Sequence, residues 1–169
     1  MSVQSTPAAS VNAQTDLLRE DEIRRGIELL YFGYTRLTNS IDDYLATQGL
    51  GRAHHRALYF VARQPDLRVG ELLKLLAITK QSLGRVLNDL QARGLVIARA
   101  GTSDRRQKLL RLTAEGEQLE ARLFGLLSEK VSAAYTEATS DSVEGFWRVL
   151  EALVPEQDKP MVFGLRQEE

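Results

Sequence analysis

The sequence predicts a mainly α-helical fold carrying a small β-hairpin, and three observations lead there. Apolar residues recur at three-and-four spacing over long stretches toward both ends of the chain. Two short helical segments with marked ends stand back to back in the middle. Two β-prone runs separated by a polar, basic, turn-rich linker follow them directly. At 169 residues, 43% of them hydrophobic, the chain suits one compact domain with an added arm.

Residues 1–15 are mostly Ser, Thr, Ala, Gln and Asn and read as a disordered leader. From Asp16 to about Thr47 the apolar positions Ile23, Ile27, Leu30, Tyr31, Tyr34, Leu37, Ile41, Tyr44 and Leu45 form a helical stripe that stops near Gly49. A helix of about 30 residues spans about 45 Å, more than a small domain needs for its own core, so something else must cover it. A second helix, Arg52 to Arg63, is broken by Gln64-Pro65-Asp66. Val69 to Leu76 gives a third, and Ala77-Ile78-Thr79 is a tight connection. Thr79 stands where an N-cap belongs, opening a helix from Lys80 to Arg93 that stops at Gly94. Leu95 to Arg99 and Lys108 to Leu112 are the hairpin strands. Thr113 caps a fifth helix running to about Thr136, and a sixth spans Ser142 to Leu153 before Pro155. The tail after Pro155 is compatible with either docking or fraying. Helix, tight turn, capped helix and hairpin, in that order, make a winged helix-turn-helix, whose second helix enters the major groove while the hairpin reaches a neighbouring groove.

Composition removes most other chemistry. There is no cysteine, so disulfides, thiol catalysis, thiol redox sensing and cysteine-bound zinc are excluded. The two histidines, His54 and His55, are adjacent and point about 100° apart on a helix, so they cannot both hold one ion without ligands from elsewhere. No paired acid and base, phosphate loop or metal cluster supports an enzyme. No apolar run reaches the roughly 18 residues of a membrane span, and the N-terminus lacks signal-peptide order. A cytoplasmic protein with no cofactor, no metal and no membrane partner is expected.

The net charge of −1 conceals an asymmetry. Residues 51–113 hold 13 Lys and Arg against 4 Asp and Glu, a balance of +9, leaving −10 for the remainder. A basic middle between acidic ends is the pattern of a nucleic-acid-reading core. Projected at 100° per residue, Leu83, Val86, Leu87 and Leu90 fall on one face of the capped helix, with Gln81, Arg85, Asn88 and Ala92 opposite. That outward face has no acid. Gln and Asn pair bidentately with adenine and Arg with guanine, while Lys80 and Ser82 near the helix start suit phosphates or base edges. Gly84 is costly inside a helix, and its missing side chain suits close approach to DNA or to another helix.

The stretch Leu72-Leu73-Lys74-Leu75-Leu76-Ala77-Ile78-Thr79-Lys80-Gln81-Ser82-Leu83, then Arg93-Gly94-Leu95-Val96, then Asp104-Arg105-Arg106-Gln107-Lys108 leading to Leu112-Thr113-Ala114-Glu115-Gly116, resembles the multiple-antibiotic-resistance regulator (MarR) family of bacterial transcription factors. The resemblance implies a homodimer held by the terminal helices, with one winged domain per subunit. It also implies operator binding that usually represses, relieved by a small-molecule effector. In the family's wing motif the acid, here Asp104, orients an arginine, here Arg106, that enters the minor groove. Arg105 fills the variable position. Ala77 departs from the Gly that many members carry, suggesting a slightly different turn. Family effector pockets lie between the dimer helices and the winged domain, making Tyr34, His54, His55 and Tyr59 ligand candidates by location.

The expected organisation is a leader (1–15), an N-terminal dimerisation helix (16–50), the DNA-binding winged helix-turn-helix (51–113), C-terminal dimerisation helices (114–154) and a tail (155–169). The expected DNA contacts are Lys80, Gln81, Ser82, Arg85, Asn88, Arg105 and Arg106. The expected function is sequence-specific binding of double-stranded DNA at an inverted-repeat operator. The alternative is a winged-helix interaction module that binds an acidic protein partner.

Overall fold

The computed structural model describes residues 18–101 and 106–165. The leader, Asp104 and Arg105 lie outside the described residues. Among those described, the elements are α1 (Glu20–Thr47), α2 (Arg52–Arg63), β1 (Leu67–Arg68), α3 (Val69–Leu76), α4 (Lys80–Ala92), β2 (Val96–Ala100), β3 (Lys108–Leu112), α5 (Ala114–Glu137), α6 (Ser140–Leu153) and α7 (Lys159–Phe163). The chain divides into two units, one ending at Asn39 and the other beginning at Ser40, with α1 running through the division.

Among the described residues, the first unit is a single helical stretch, part of α1. Its apolar side chains Ile23, Ile27, Leu30, Tyr31 and Tyr34 are exposed. Acidic Glu20, Asp21 and Glu22 in its first turn oppose the positive end of the helix dipole.

The second unit contains the core. Ile41 and Leu45 from the last turns of α1 join Ala57, Leu58 and Val61 of α2, Leu72 and Leu76 of α3, and Leu83, Leu87 and Leu90 of α4 in one buried cluster. Leu110 of β3 and Leu123 of α5 also belong to it, both fully buried. The cluster follows the helical stripes read in the sequence, because only one face of each helix can leave water.

The sheet has three antiparallel strands in the order β1-β3-β2, where the sequence predicts a two-stranded hairpin. Strand β1 pairs Leu67 with Leu110 and Arg68 with Leu109. Two residues are too few to display a period of two, so it left no pattern to read. Two further boundaries move slightly. Thr139, accepting from the Ser142 N–H, starts α6 two residues earlier than expected. The tail, left open by the sequence, forms α7, and Arg63 of α2 donates to the Leu165 carbonyl at 2.6 Å.

Two backbone positions fix how the winged unit closes. Ala77 caps α3 in the left-handed conformation (φ 51°, ψ 43°), and its N–H donates to Leu73 and Lys74 carbonyls. The turn therefore keeps a glycine-like shape under strain, where a different shape was expected. At the other end, Thr113 accepts from the Gly116 N–H and donates its hydroxyl to the Gly94 carbonyl. Gly116 is required by proximity, since a Cβ there would fall 2.0 Å from the Leu95 oxygen. The Thr-x-x-Gly pattern thus seats α5 directly on the chain entering β2.

Two substitutions should move stability in opposite directions. Ala77→Gly removes left-handed strain and is expected to raise unfolding free energy by about 1 kcal/mol. Gly116→Ala gains helix propensity but forces the backbone apart, for an expected net loss of about 1–3 kcal/mol. Urea denaturation of both variants, with the slope held equal, checks the pair.

Candidate nucleic-acid interface

Helix α4 is positioned from both ends. At its start, the Thr79 hydroxyl accepts from the Ser82 N–H at 3.2 Å and bonds the Ser82 hydroxyl at 2.9 Å. At its end, Arg93 bonds Asp89 at 2.9 Å and donates to the Gln48 and Gly49 carbonyls, tying α4 to the turn after α1. His54 adds a third tie. Its Nε2 lies 3.1 Å from Asp89, and its Nδ1 accepts from the Gly51 N–H. The Arg93 guanidinium, helped by His54, holds the Asp89 carboxyl below its ordinary value.

Between these anchors the inner face is buried through Leu83, Val86, Leu87 and Leu90. Lys80, Gln81, Ser82, Arg85 and Asn88 are all exposed; Gln81, Arg85 and Asn88 share one side of the helix, and Lys80 and Ser82 flank it. Arg106 is exposed at the described end of the wing loop.

The wing depends on a residue that sequence reasoning missed. Asp66 stands just before β1 at φ 66° and receives Arg99 of β2 at 2.7 Å and Arg111 of β3 at 2.8 Å. Its own N–H donates to the Leu110 carbonyl. One carboxylate so braces both long strands of the sheet. The Arg111 guanidinium, with Arg99 beside it, holds the Asp66 carboxyl at about 2 against an ordinary 3.8. Its being one of only four acids in the basic segment was the available signal, and partners 33 and 45 positions away are not legible from spacing.

This bracing changes the meaning of the basic segment. Arg52 pairs with Asp42, Arg68 with Glu71, Arg93 with Asp89, and Arg99 and Arg111 with Asp66. Arg56 and Arg63 donate to backbone carbonyls. Lys74, Lys80, Arg85 and Lys108 are exposed cations outside these pairings.

The four ligand candidates separate. His55 is buried, and its Nε2 has no hydrogen-bond partner among the described residues. Burial, with Arg56 adding repulsion, lowers its pKa below the ordinary histidine value. Tyr59 lies beside it at a ring-centroid distance of 6.4 Å. His54 is turned to Asp89 and Gly51, and Tyr34 belongs to the other unit. Two clefts of about 360 and 390 Å³ open in the second unit, and none of the four residues lines either.

The MarR family model matches residues 48–107, which span α2 to the wing. The HTH-type transcriptional regulator PetP of Rhodobacter capsulatus is 42% identical over 137 residues, covering 81% of this chain and 82% of that protein. The chain belongs to the MarR family. It is a MarR-type transcriptional regulator, and the fold agrees. Streptococcus pneumoniae FabT in complex with DNA superposes with TM-score 0.68 at 17% identity, over 78% of this chain and 94% of that one. A Mycobacterium tuberculosis MarR family protein in complex with p-aminosalicylic acid gives TM-score 0.55 at 26% identity, over 75% and 95%.

The Asp66 brace has a pH signature. A carboxyl with a depressed folded-state pKa contributes stability that is complete above the unfolded value of 3.8 and is lost as pH falls through about 2. Acid titration of wild type and Asp66→Asn should therefore show a stability gap that is constant above pH 4 and closes toward pH 2. Amide exchange in β2 and β3 at neutral pH should be faster in the variant. A gap unchanged down to pH 2 would show that the carboxylate does not brace the wing.

Proposed function

We propose that the protein is a homodimeric regulator that reads an inverted-repeat operator in double-stranded DNA and represses transcription until a small ligand binds. The observation that carries the reading is the exposed, acid-free face of α4, where Gln81, Arg85 and Asn88 stand outward with Lys80 and Ser82 at the helix start. Such a face in a winged helix-turn-helix suits the major groove. Arg85 takes guanine, Gln81 and Asn88 take adenine or bridging positions, and Lys80 and Ser82 meet phosphates. In the wing, Arg106 is assigned to the minor groove, whose negative potential is concentrated where A·T tracts narrow it, with Asp104 as its orienting acid and Arg105 as a further DNA contact. The FabT complex with DNA supports a DNA-bound role for this fold.

Dimerisation through 16–50 and 114–154 is supported by apolar surface that the chain leaves in water. In the first unit this is Ile23, Ile27, Tyr31 and Phe32. In the second it is Phe124 of α5 and Phe146, Trp147, Val149 and Leu153 of α6. Monomers rarely expose so much. Effector sensing is supported by the family relative bound to p-aminosalicylic acid and by the buried, unpartnered His55 beside Tyr59. No described helix is long and apolar enough to cross a membrane. A DNA-reading regulator acts where the chromosome lies, in the cytoplasm.

Sedimentation at micromolar concentration is expected to give a dimer, and a monodisperse monomer would remove the basis for an inverted repeat.

The arginines should fail differently on an operator selected from genomic fragments. Arg85→Ala is expected to cost about 1–3 kcal/mol and to relax preference at one base pair in each half-site. Arg106→Ala should lower affinity mainly by lost minor-groove attraction, with sequence effects confined to flanking A·T content. Asp104→Ala should resemble it more mildly. Binding to operators mutated one base pair at a time checks all three. An intact base preference in Arg85→Ala, with that preference abolished in Arg106→Ala, would mean that α4 is not the reading helix. Tight binding to an acidic protein with no preference among DNA duplexes would favour the interaction-module reading.

A further inference from the structure

We infer that Asp66 is a positioning residue for DNA reading: by clamping the hairpin at its base, it sets the direction in which the wing carries Arg106 to the minor groove. The inference rests on the proposed assignment of Arg106 to that groove. Alternation along the strands places Val96 and Ala98 of β2, with Leu110 and Leu112 of β3, on the inner face of the sheet, where they join or pack on the buried cluster. Ile97, Arg99 and Arg111 fall on the other face, and all three are exposed. Core packing therefore holds one side of the hairpin only.

Asp66 ties the exposed side. Arg99 Nη2 lies 2.7 Å from its Oδ1 and 2.8 Å from its Oδ2, and Arg111 Nε lies 2.8 Å from Oδ1. Because the strand order is β1-β3-β2, a carboxylate standing just before β1 reaches across β3 to grip β2. It does so from a left-handed backbone (φ 66°), a conformation that Asp and Asn tolerate better than most side chains. Arg99 is the last residue of β2 on this face. Past it the hairpin closes on itself, with Ala100 opposite Lys108 and the Gly101 N–H donating to the Gln107 carbonyl.

The clamp works at the short end of a lever. At about 3.3 Å per residue, Arg106 stands up to roughly 10 Å past the pair formed by Arg99 and Leu109. A change of about 10° in strand twist, well inside the natural spread, would carry it about 2 Å sideways. Phosphate contacts through the flexible stems of lysines follow such a shift, whereas a side chain aimed into a groove about 6 Å wide is displaced from it. Loosening Asp66 should therefore disconnect Arg106 while the charge-driven part of binding is kept.

The test is a double-mutant cycle on the full chain, read by fluorescence anisotropy at neutral pH and at a temperature where every variant is folded by circular dichroism. The probes are an operator duplex selected from genomic fragments and a scrambled duplex of the same composition. Asp66→Asn keeps the side chain's size and its tolerance of the left-handed region while removing the charge. Arg106→Ala is expected to weaken operator binding about 10-fold in the wild-type background and only about two- to threefold in Asp66→Asn. Asp66→Asn alone should weaken operator binding about three- to tenfold and bind the scrambled duplex as tightly as wild type or more so, since an acid has been removed. Should Asp66→Asn fail to fold, Arg99→Met cuts only the β2 arm of the clamp and is expected to show the same reduced effect of Arg106→Ala. An Arg106→Ala loss of equal factor in both backgrounds would overturn the inference, as would equal weakening of both duplexes by Asp66→Asn. Arg106→Ala without effect in the wild-type background would instead refute the minor-groove assignment itself.

Discussion

Helix α4 can bury Leu83, Val86, Leu87 and Leu90 in only one rotational setting, and that setting leaves Gln81, Arg85 and Asn88 in water. Each of those apolar side chains stabilises the fold by about 1.5–3 kcal/mol when fully buried. A rotation large enough to hide the polar face would expose them together. The proposed DNA-reading surface is thus held by packing on the far side of the same helix. Thr79 at one end and the Arg93–Asp89–His54 contacts at the other remove the remaining freedom to slide or tilt.

The second constraint is electrostatic. A segment of net charge +9 would resist compaction if its cations were left to repel one another. The protein instead divides them. Arg99 and Arg111 share Asp66, Arg56 satisfies a carbonyl at the C-terminal end of α3, and Arg63 satisfies the Leu165 carbonyl just beyond α7. Lys80 and Arg85 remain outward on α4. The cations that build the wing's frame and those offered to an anionic partner are therefore different residues, although the sequence lists them side by side. The MarR family assignment and this division agree, since a groove-reading helix needs charge on its outer face and a rigid frame behind it.

The fold was legible wherever one residue's chemistry acted locally. Thr79 and Thr113 announced their helices as caps, Gly94 announced a stop, and the apolar stripes located the core. Asp66 was not legible, because its role is defined by two arginines brought to it only when the sheet closes. Strand β1 was hidden by its length, and Ala77 by the assumption that a non-glycine residue avoids the left-handed region. The ligand candidates came from family location alone. The structure sets His55 beside Tyr59 and engages His54 with Asp89, a split that adjacent residues on a helix conceal, because they point in different directions.

In the proposed function, α4 reads bases through the major groove, once in each subunit of a dimer. Dimethyl sulfate protection reports it directly, because guanine N7 is exposed in the major groove and is covered by a bidentate arginine. Wild-type protein on its selected operator should protect guanines in two clusters with centres about 10 base pairs apart on one face of the duplex, and Arg85→Ala should lose one protected guanine from each cluster. Protection confined to the minor-groove position of adenines, or a single cluster with no symmetric partner, would contradict the account.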